Sequence, residues 1–214
     1  MRIAAYICAF GAVLLAAQAA QAAHAASAQQ ASFPTFLAAL GATPNTNYGK
    51  QIVESLRLQT TLSNPKLALT IFMPEDKYFD ALAAKLNVKP TAMSKNTGLM
   101  RQARGRNSNG DAISGGLAAR GVLLYHFVTG PTGVRKVLPT SALQAGQRLD
   151  TMYQSSTTRK PYQLAVNAVN GKLQIKSVGT TAYIVKPNIR AGAGLVHMIN
   201  NVLVPMNLNN IPRF

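Results

Sequence analysis

The chain has almost no cysteine and no tryptophan. Its 214 residues include a single cysteine, Cys8, which lies in the N-terminal segment. The body of the chain therefore excludes disulfides, cysteine-based metal sites and thiol nucleophiles. A domain without cross-links must be stabilised by its own hydrophobic core, and the chain is long enough to form one.

Acidic side chains are also scarce. Six Asp and Glu residues stand against 22 Lys and Arg, and the formal net charge is +16. This excess attracts polyanions over long distances, which include acidic polysaccharide, anionic membrane surfaces and nucleic acid. The basic residues are scattered and are not interleaved with aromatic residues, so nucleic acid is not expected as a partner. A solvated, solubilising surface explains the charge equally well.

Residues suited to catalysis or metal binding are few and not grouped. The histidines His24, His126 and His197 are far apart, and no pattern of carboxylates accompanies them. Gly192 and Gly194 imitate part of a dinucleotide-binding loop but lack its third glycine, so a tight turn before the last strand is expected. The chain is therefore predicted not to be an enzyme and to hold no metal.

The N-terminus is typical of a secretory signal peptide. Arg2 precedes the apolar run Ile3–Ala17, which is too short to span a bilayer comfortably. The small-residue cleavage pattern Ala20–Ala22 follows it, with Ala23–Ala25 as a second option. We expect residues 1–22 to be removed on export.

The rest of the chain is predicted to form one domain. Residues 23–32 are a low-complexity lead that is expected to be disordered. Residues 33–206 are predicted to be the domain, and residues 207–214 its C-terminal tail. No apolar tail and no Asn-x-Ser/Thr sequon occurs, so neither a glycolipid anchor nor N-glycosylation is expected. The expected location is extracellular, in a cell wall or a periplasm-like space.

Helices are predicted first along the chain and strands later. Apolar spacing predicts helices over 33–40, over 51–62 and after Glu75-Asp76, with a strand buried on both faces over 67–72. The later strands are predicted at 122–128, 147–153, 162–167, 172–177, 181–187 and 195–204. Asn170-Gly171 is a strong hairpin signal. The pattern predicts an α+β domain, with a long loop over 104–116 that is a candidate functional loop.

Two apolar blocks resemble the signature blocks of the fasciclin domain. The first, Leu67 to Leu82, reads LALTIFMPEDKYFDAL. The second opens at Leu123 with LLYHFVTG and closes at Pro205 with NIRAGAGLVHMINNVLVP. The resemblance covers nearly the whole chain after residue 33. It implies a single fasciclin domain, with N-terminal helices packed on a wedge or sandwich of mostly antiparallel strands, and a role in adhesion or in binding apolar ligands.

The pair Tyr125-His126 matches a Tyr-His hallmark of this family. The resemblance implies a partner-contact motif, as in adhesive members. The residues themselves favour a structural role, because a lone histidine within an apolar run is usually a satisfied polar group whose ring nitrogens tie two segments together.

The chain is also similar to the water-soluble astaxanthin-binding fasciclin proteins of green microalgae, in being small, exported and basic. This likeness implies a photoprotective, antioxidant carrier that binds a carotenoid non-covalently, either astaxanthin or a related xanthophyll. A polyene needs a groove of aliphatic and aromatic side chains. The expected lining residues are Ile52, Leu56, Gln59, Tyr125, Ile175, Val178, Tyr183 and Val185. Periodicity alone explains the same residues as ordinary core.

A second hypothesis makes the chain an extracellular matrix or cell-adhesion module. Its partners would be acidic polysaccharide or proteins, contacted through Tyr125-His126 and the basic surface. Under the carotenoid hypothesis, a long pigment protruding from so small a domain favours a homodimer formed on the ligand. Absorption of visible light separates the two hypotheses.

Overall fold

The computed structural model describes residues 31–85, 119–129, 137–155 and 157–206. The helices in these ranges are α1 (Phe36–Ala42), α2 (Asn47–Ser55), α3 (Gln59–Leu62), α4 (Asp76–Lys85) and α5 (Ala119–His126). The strands are β1 (Ser32–Phe33), β2 (Thr70–Pro74), β3 (Phe127–Thr129), β4 (Arg148–Gln154), β5 (Pro161–Val169), β6 (Lys172–Lys176), β7 (Thr181–Ala191) and β8 (Gly194–Ile199).

The strands close into a barrel. Their order is β1-β7-β6-β5-β4-β3-β2-β8, and β8 pairs again with β7. Strand β1 extends the sheet beside β7. The pairs β1–β7 and β2–β8 are parallel, whereas the other strand pairs are antiparallel. Helices combined with mostly antiparallel strands confirm the predicted α+β fold class.

Two hydrophobic cores lie on the two sides of β2 and β8. Ile71 and Met73 of β2 pack with the helices, whereas Phe72 between them belongs to the core inside the barrel. Successive side chains of a strand point to opposite faces, and all five residues of β2 are buried. This confirms the prediction of a strand buried on both faces, although the strand begins at Thr70 and not at Leu67.

Asp76 links α2 to α4. Its carboxylate accepts hydrogen bonds from the backbone N–H groups of Asn47 (3.0 Å) and Tyr48 (2.9 Å), at the start of α2. It also lies in the first turn of α4, as the sequence predicts. A carboxylate at a helix N-terminus typically contributes about 1 kcal/mol. One side chain therefore stabilises the starts of two helices.

The helix predicted over 51–62 is wrong, because the chain breaks it into α2 and α3. Arg57 adopts a left-handed conformation with φ of 54°. The Leu58 N–H donates to the Val53 carbonyl, and the Arg57 N–H donates to the Glu54 carbonyl, each at 3.0 Å. These bonds form a Schellman ending, whose usual glycine is replaced here by arginine. The missing glycine is the reason that the sequence does not reveal the break.

Two tight turns match their predictions. Asn170 and Gly171 have φ of 49° and 72°, and they join paired residues Val169 and Lys172 in a two-residue hairpin. Gly192 begins the turn between β7 and β8, where Ala191 pairs with Gly194. The glycines of this segment form the expected tight turn before the last strand.

The strand predicted over 122–128 is wrong, because most of it is helix. Ala119–His126 form α5, and only Phe127–Thr129 form strand β3. Val122 and Leu123 pack in the helical core, whereas Tyr125 enters the barrel core. The periodicity of an apolar run that is buried on both sides is the same whether the run forms a helix or a strand. The segment is too apolar for its pattern to distinguish the two.

Several predicted features lie outside the described residues. These are the signal peptide, most of the low-complexity lead, the C-terminal tail and the loop over 104–116. The strands predicted from residue 147 onward are confirmed, with β7 longer and β8 shorter than expected. Among the helices of the described ranges, none has the length and apolar character needed to cross a bilayer.

Candidate functional site

His126 lies on the last turn of α5 and is fully engaged by backbone groups. Its Nδ1 atom lies 2.7 Å from the Val122 carbonyl oxygen, and its Nε2 atom accepts the Leu203 N–H at 3.0 Å. The side chain is 1% exposed. Nε2 must carry the lone pair to accept, so Nδ1 carries the proton and donates to Val122. The neutral ring ties α5 to the segment after β8.

Tyr125 is a second tie between elements. Its hydroxyl donates to the Gln163 carbonyl at 3.2 Å. Burial raises the pKa of this hydroxyl, and the Val178 N–H opposes the rise. The ring packs edge-on against Tyr153 and Tyr162, each with a centroid distance of 6.3 Å. Because neither member of the Tyr-His pair is exposed, the pair does not form a contact surface.

His197, on strand β8, has a comparable structural role. Its Nε2 donates to the Leu138 carbonyl at 2.8 Å, and its Nδ1 accepts the Asn188 N–H at 3.1 Å. The ring stacks on Phe72 with centroids 5.5 Å apart. Burial lowers its pKa. The imidazole is thus held neutral between three segments.

The helical residues expected to line a pigment groove lie at the helical core. Ile52 is buried in that core, and Leu56 packs against it half-buried. Gln59 is half-buried at the start of α3. Ile52 and Leu56 thus belong to the core beside the helices and not to the core inside the barrel.

The strand residues expected to line the same groove are spread over three places. Ile175 and Tyr125 lie in the barrel core. Val185 is 49% exposed on β7 and Val178 is 39% exposed after β6. Tyr183 is half-buried and opposite Gln174, on the outer face, because the neighbouring Ala182 is in the core. The structure therefore does not bring the eight residues to one surface.

A pocket of about 490 Å³ opens on the outside of the barrel. Leu149 and Leu164 face the barrel core, so their paired neighbours Asp150 and Gln163 face outward. The pocket, called the β4–β5 pocket below, is lined by Arg148, Asp150, Lys160, Pro161, Tyr162, Gln163 and Val178. Its size falls in the range of small-molecule sites.

The floor of the β4–β5 pocket is polar. The Gln163 side-chain amide donates to one carboxylate oxygen of Asp150 at 2.8 Å. Asp150 is only 6% exposed, whereas Arg148 and Lys160 are exposed. Arg148 is opposite Ala165, and Lys160 precedes Pro161, which is opposite Gln154. The pocket therefore has a cation near each end and hydrogen-bonding groups between them.

Comparisons with known proteins agree on the fold. Residues 113–205 match the family model of the fasciclin domain. A solved structure of a domain pair from the insect cell adhesion molecule fasciclin I superposes with a TM-score of 0.56 over 81% of this chain, at 15% identity. The fold is that of a fasciclin domain. The match covers 51% of the other chain, so this chain spans about half of that structure. No curated protein matches the sequence.

The sequence did not reveal the polar residues of the β4–β5 pocket. Arg148 lies 12 residues before Lys160 in the sequence, and each of Arg148, Lys160 and Gln163 alone is an ordinary surface residue of a strand or loop. The hairpin register places Asp150 opposite Gln163. The alternation of buried and exposed residues along β4 and β5 was the available signal, but it identifies neighbours only once this register is known.

The described part of the domain contains no group of three or more His, Cys, Asp or Glu side chains placed to hold a metal ion. Its two histidines, His126 and His197, are buried and bonded to backbone groups. Among the residues that the structure describes, the β4–β5 pocket brings two cations and one carboxylate together at the surface.

Acid is expected to destabilise the fold through His126. Burial lowers its pKa to about 4, against an ordinary value of 6.5, with the hydrogen bond to Val122 opposing part of the shift. Between pH 6.5 and about pH 4, the unfolded chain therefore binds a proton on this histidine that the folded chain does not bind. The free energy of unfolding should therefore fall by about 3 kcal/mol from pH 7 to pH 4 through this residue, and His197 adds to the fall.

Denaturant unfolding at several pH values measures this dependence. The variant His126→Gln lacks the titrating ring, so its stability should vary less steeply between pH 6.5 and pH 4. Equal slopes for the parent and this variant would contradict the assignment of a neutral buried imidazole.

Proposed function

We propose that the chain is an extracellular binding module that attaches to acidic polysaccharide through the outer surface of its barrel. The observation that carries the proposal is the charge of this surface. Between residues 137 and 206 the only acidic residue is Asp150. The exposed basic residues in the same stretch are Arg148, Arg159, Lys160, Lys172, Lys176, Lys186 and Arg190.

These positive charges are not neutralised within the described part of the domain. The ion pair found there joins Lys77 to Glu75 on the helical side, at 2.7 Å. Asp150 is nearly buried, and its bonded partner is the neutral Gln163. A surface with an excess of charge of one sign attracts an oppositely charged polymer and increases its rate of association. The strands therefore present a positive field that faces outward.

The fold supports the same function. A similar fold occurs in a cell adhesion molecule, and attachment to a matrix polymer is an activity of the same kind. Export, which the N-terminal sequence predicts, would place the chain among acidic wall and matrix polymers. Five of these seven basic residues lie on hydrogen-bonded strands of the barrel, and Arg159 and Lys160 lie just before β5.

Binding to polymers of different charge tests the proposal. The purified chain should bind immobilised polygalacturonate at low salt, and added salt should release it, because salt screens exposed charges. It should not bind a neutral polymer such as dextran. A control protein of similar size and positive charge but a different fold should bind more weakly. Failure to bind polygalacturonate, or equal binding to dextran, would overturn the proposal.

Carotenoid binding is a second candidate, with astaxanthin as the expected pigment. The observation in its favour is a set of large apolar side chains that are more than a third exposed, namely Met152, Val169, Val178 and Val185. Reconstitution with astaxanthin, followed by an absorption spectrum of the repurified protein, tests it. A pigment that stays with the protein at a fixed ratio supports this candidate, and a colourless protein contradicts it.

A further inference from the structure

We infer that the β4–β5 pocket binds a short stretch of a uronate chain, a sugar polymer that carries a carboxylate on each ring. The inference rests on the proposed function and names its site. It starts from the two cations of the pocket. Arg148 is opposite Ala165 of β5, and Lys160 comes just before the first residue of that strand. Extended chain from Ala165 to Lys160 spans about 17 Å, and both Arg148 and Lys160 line the pocket.

A ligand that satisfies both cations must carry two separated negative groups. A single small anion contacts one end only. A chain with one carboxylate on each ring supplies such groups at intervals. The guanidinium of Arg148 presents paired N–H donors that match the two oxygens of a carboxylate. Lys160 offers a compact charge that tolerates several geometries at the other end.

The floor between the cations requires a ligand with neutral hydrogen-bond donors. The Gln163 amide donates to Oδ1 of Asp150, which leaves Oδ2 of Asp150 and Oε1 of Gln163 to accept from a ligand. Sugar hydroxyls are such donors. The carboxylate of Asp150 also repels a ligand with negative charge at this position. The pocket therefore favours alternating acid and hydroxyl groups over a continuously charged chain.

The walls fit the apolar face of a sugar ring. Pro161 and Val178 line the pocket, and Val178 is 39% exposed. The strand below this wall is held from inside the barrel, since the buried Tyr125 hydroxyl donates to the Gln163 carbonyl at 3.2 Å.

Calorimetric titration with a trigalacturonate tests the inference. The parent chain should bind one trisaccharide saturably and bind galacturonate monomer at least about tenfold more weakly, because the monomer reaches one cation only. The variant Arg148→Gln/Lys160→Gln should lose at least about tenfold in affinity for the trisaccharide. Both side chains are exposed, so melting temperatures should stay close to that of the parent.

A matched control removes two charges elsewhere on the barrel. Lys172 and Arg190 are exposed on β6 and β7 and do not line the pocket. The variant Lys172→Gln/Arg190→Gln should keep its trisaccharide affinity within about twofold of the parent, since exposed charges outside a site contribute little. Equal losses in the two double variants would overturn the inference and leave the proposed function standing.

The remaining outcomes are also decisive. Binding of polygalacturonate without binding of the trisaccharide would overturn the pocket and keep the function. Binding of neither would overturn both. The variant Asp150→Asn should bind a sulfated oligosaccharide several-fold more tightly than the parent does, because a repelling charge is removed. Unchanged selectivity in this variant would contradict the role given to Asp150.

Discussion

The His126→Ala variant is expected to lose about 3 kcal/mol of stability and about 10 °C in melting temperature. The substitution removes the ring that holds α5 to the segment after β8. It leaves the buried Leu203 N–H without its acceptor and opens a cavity beside Val122. Thermal unfolding followed by circular dichroism measures the change. Binding to polygalacturonate, measured well below the melting temperature, should stay unchanged.

A polar control separates the hydrogen bonds from the volume of the side chain. The amide of His126→Gln can donate and accept, so this variant should regain part of the lost stability at pH 7. A His126→Ala variant that melts like the parent but loses polysaccharide binding would contradict the structural role and favour a partner-contact motif.

The Gly194→Ala variant is expected to lose at least about 3 kcal/mol. A Cβ atom at this position would lie 2.6 Å from the Leu69 carbonyl oxygen and would also overlap the ring of Phe36. The same carbonyl accepts the Leu195 N–H at 3.0 Å. Relieving the overlap must therefore shift β8 away from the helical core. Denaturant unfolding measures the loss of stability.

Gly41 provides the control for this substitution. It lies inside α1, and a Cβ atom there would meet nothing within 4 Å. The Gly41→Ala variant should keep or gain stability, because alanine favours a helix by up to about 1 kcal/mol over glycine. Similar losses in both variants would show that the close approach at Gly194 is not the cause.

Short sequence patterns are sufficient to predict much of the fold. Asn170-Gly171 specifies its hairpin because few other dipeptides adopt positive φ at both positions. The apolar run from Leu67 identifies a strand buried on both faces, although it places the start of the strand early. In each case the deciding interaction lies within a few residues of sequence.

The errors have long-range causes. In the helical segment 119–126, Val122 faces the helical core and Tyr125 enters the barrel. The segment therefore lies between two cores, and no local sequence pattern indicates this. The break at Arg57 is stabilised by Leu58, which follows the turn and packs on the helical core. Local propensity favours a continuous helix there, and tertiary packing overrides it.

The candidate site could be predicted less well than the fold. Tyr125-His126 is conspicuous in the sequence, yet both side chains are buried. The polar residues of the β4–β5 pocket are inconspicuous in the sequence, and they become neighbours only through the register of β4 on β5. A strand register shifted by one residue would turn Asp150 and Gln163 toward the core, so the site depends on the whole barrel.

The most direct test of polysaccharide binding on the outside of the barrel is a map of backbone amide signals by nuclear magnetic resonance. Trigalacturonate is added to the purified, isotope-labelled chain, and the shifted signals are assigned. The account predicts shifts concentrated in residues 148–150, 160–163 and 178, with the helices α1 to α3 unaffected. Shifts centred on those helices, or no shift at saturating trisaccharide, would contradict it.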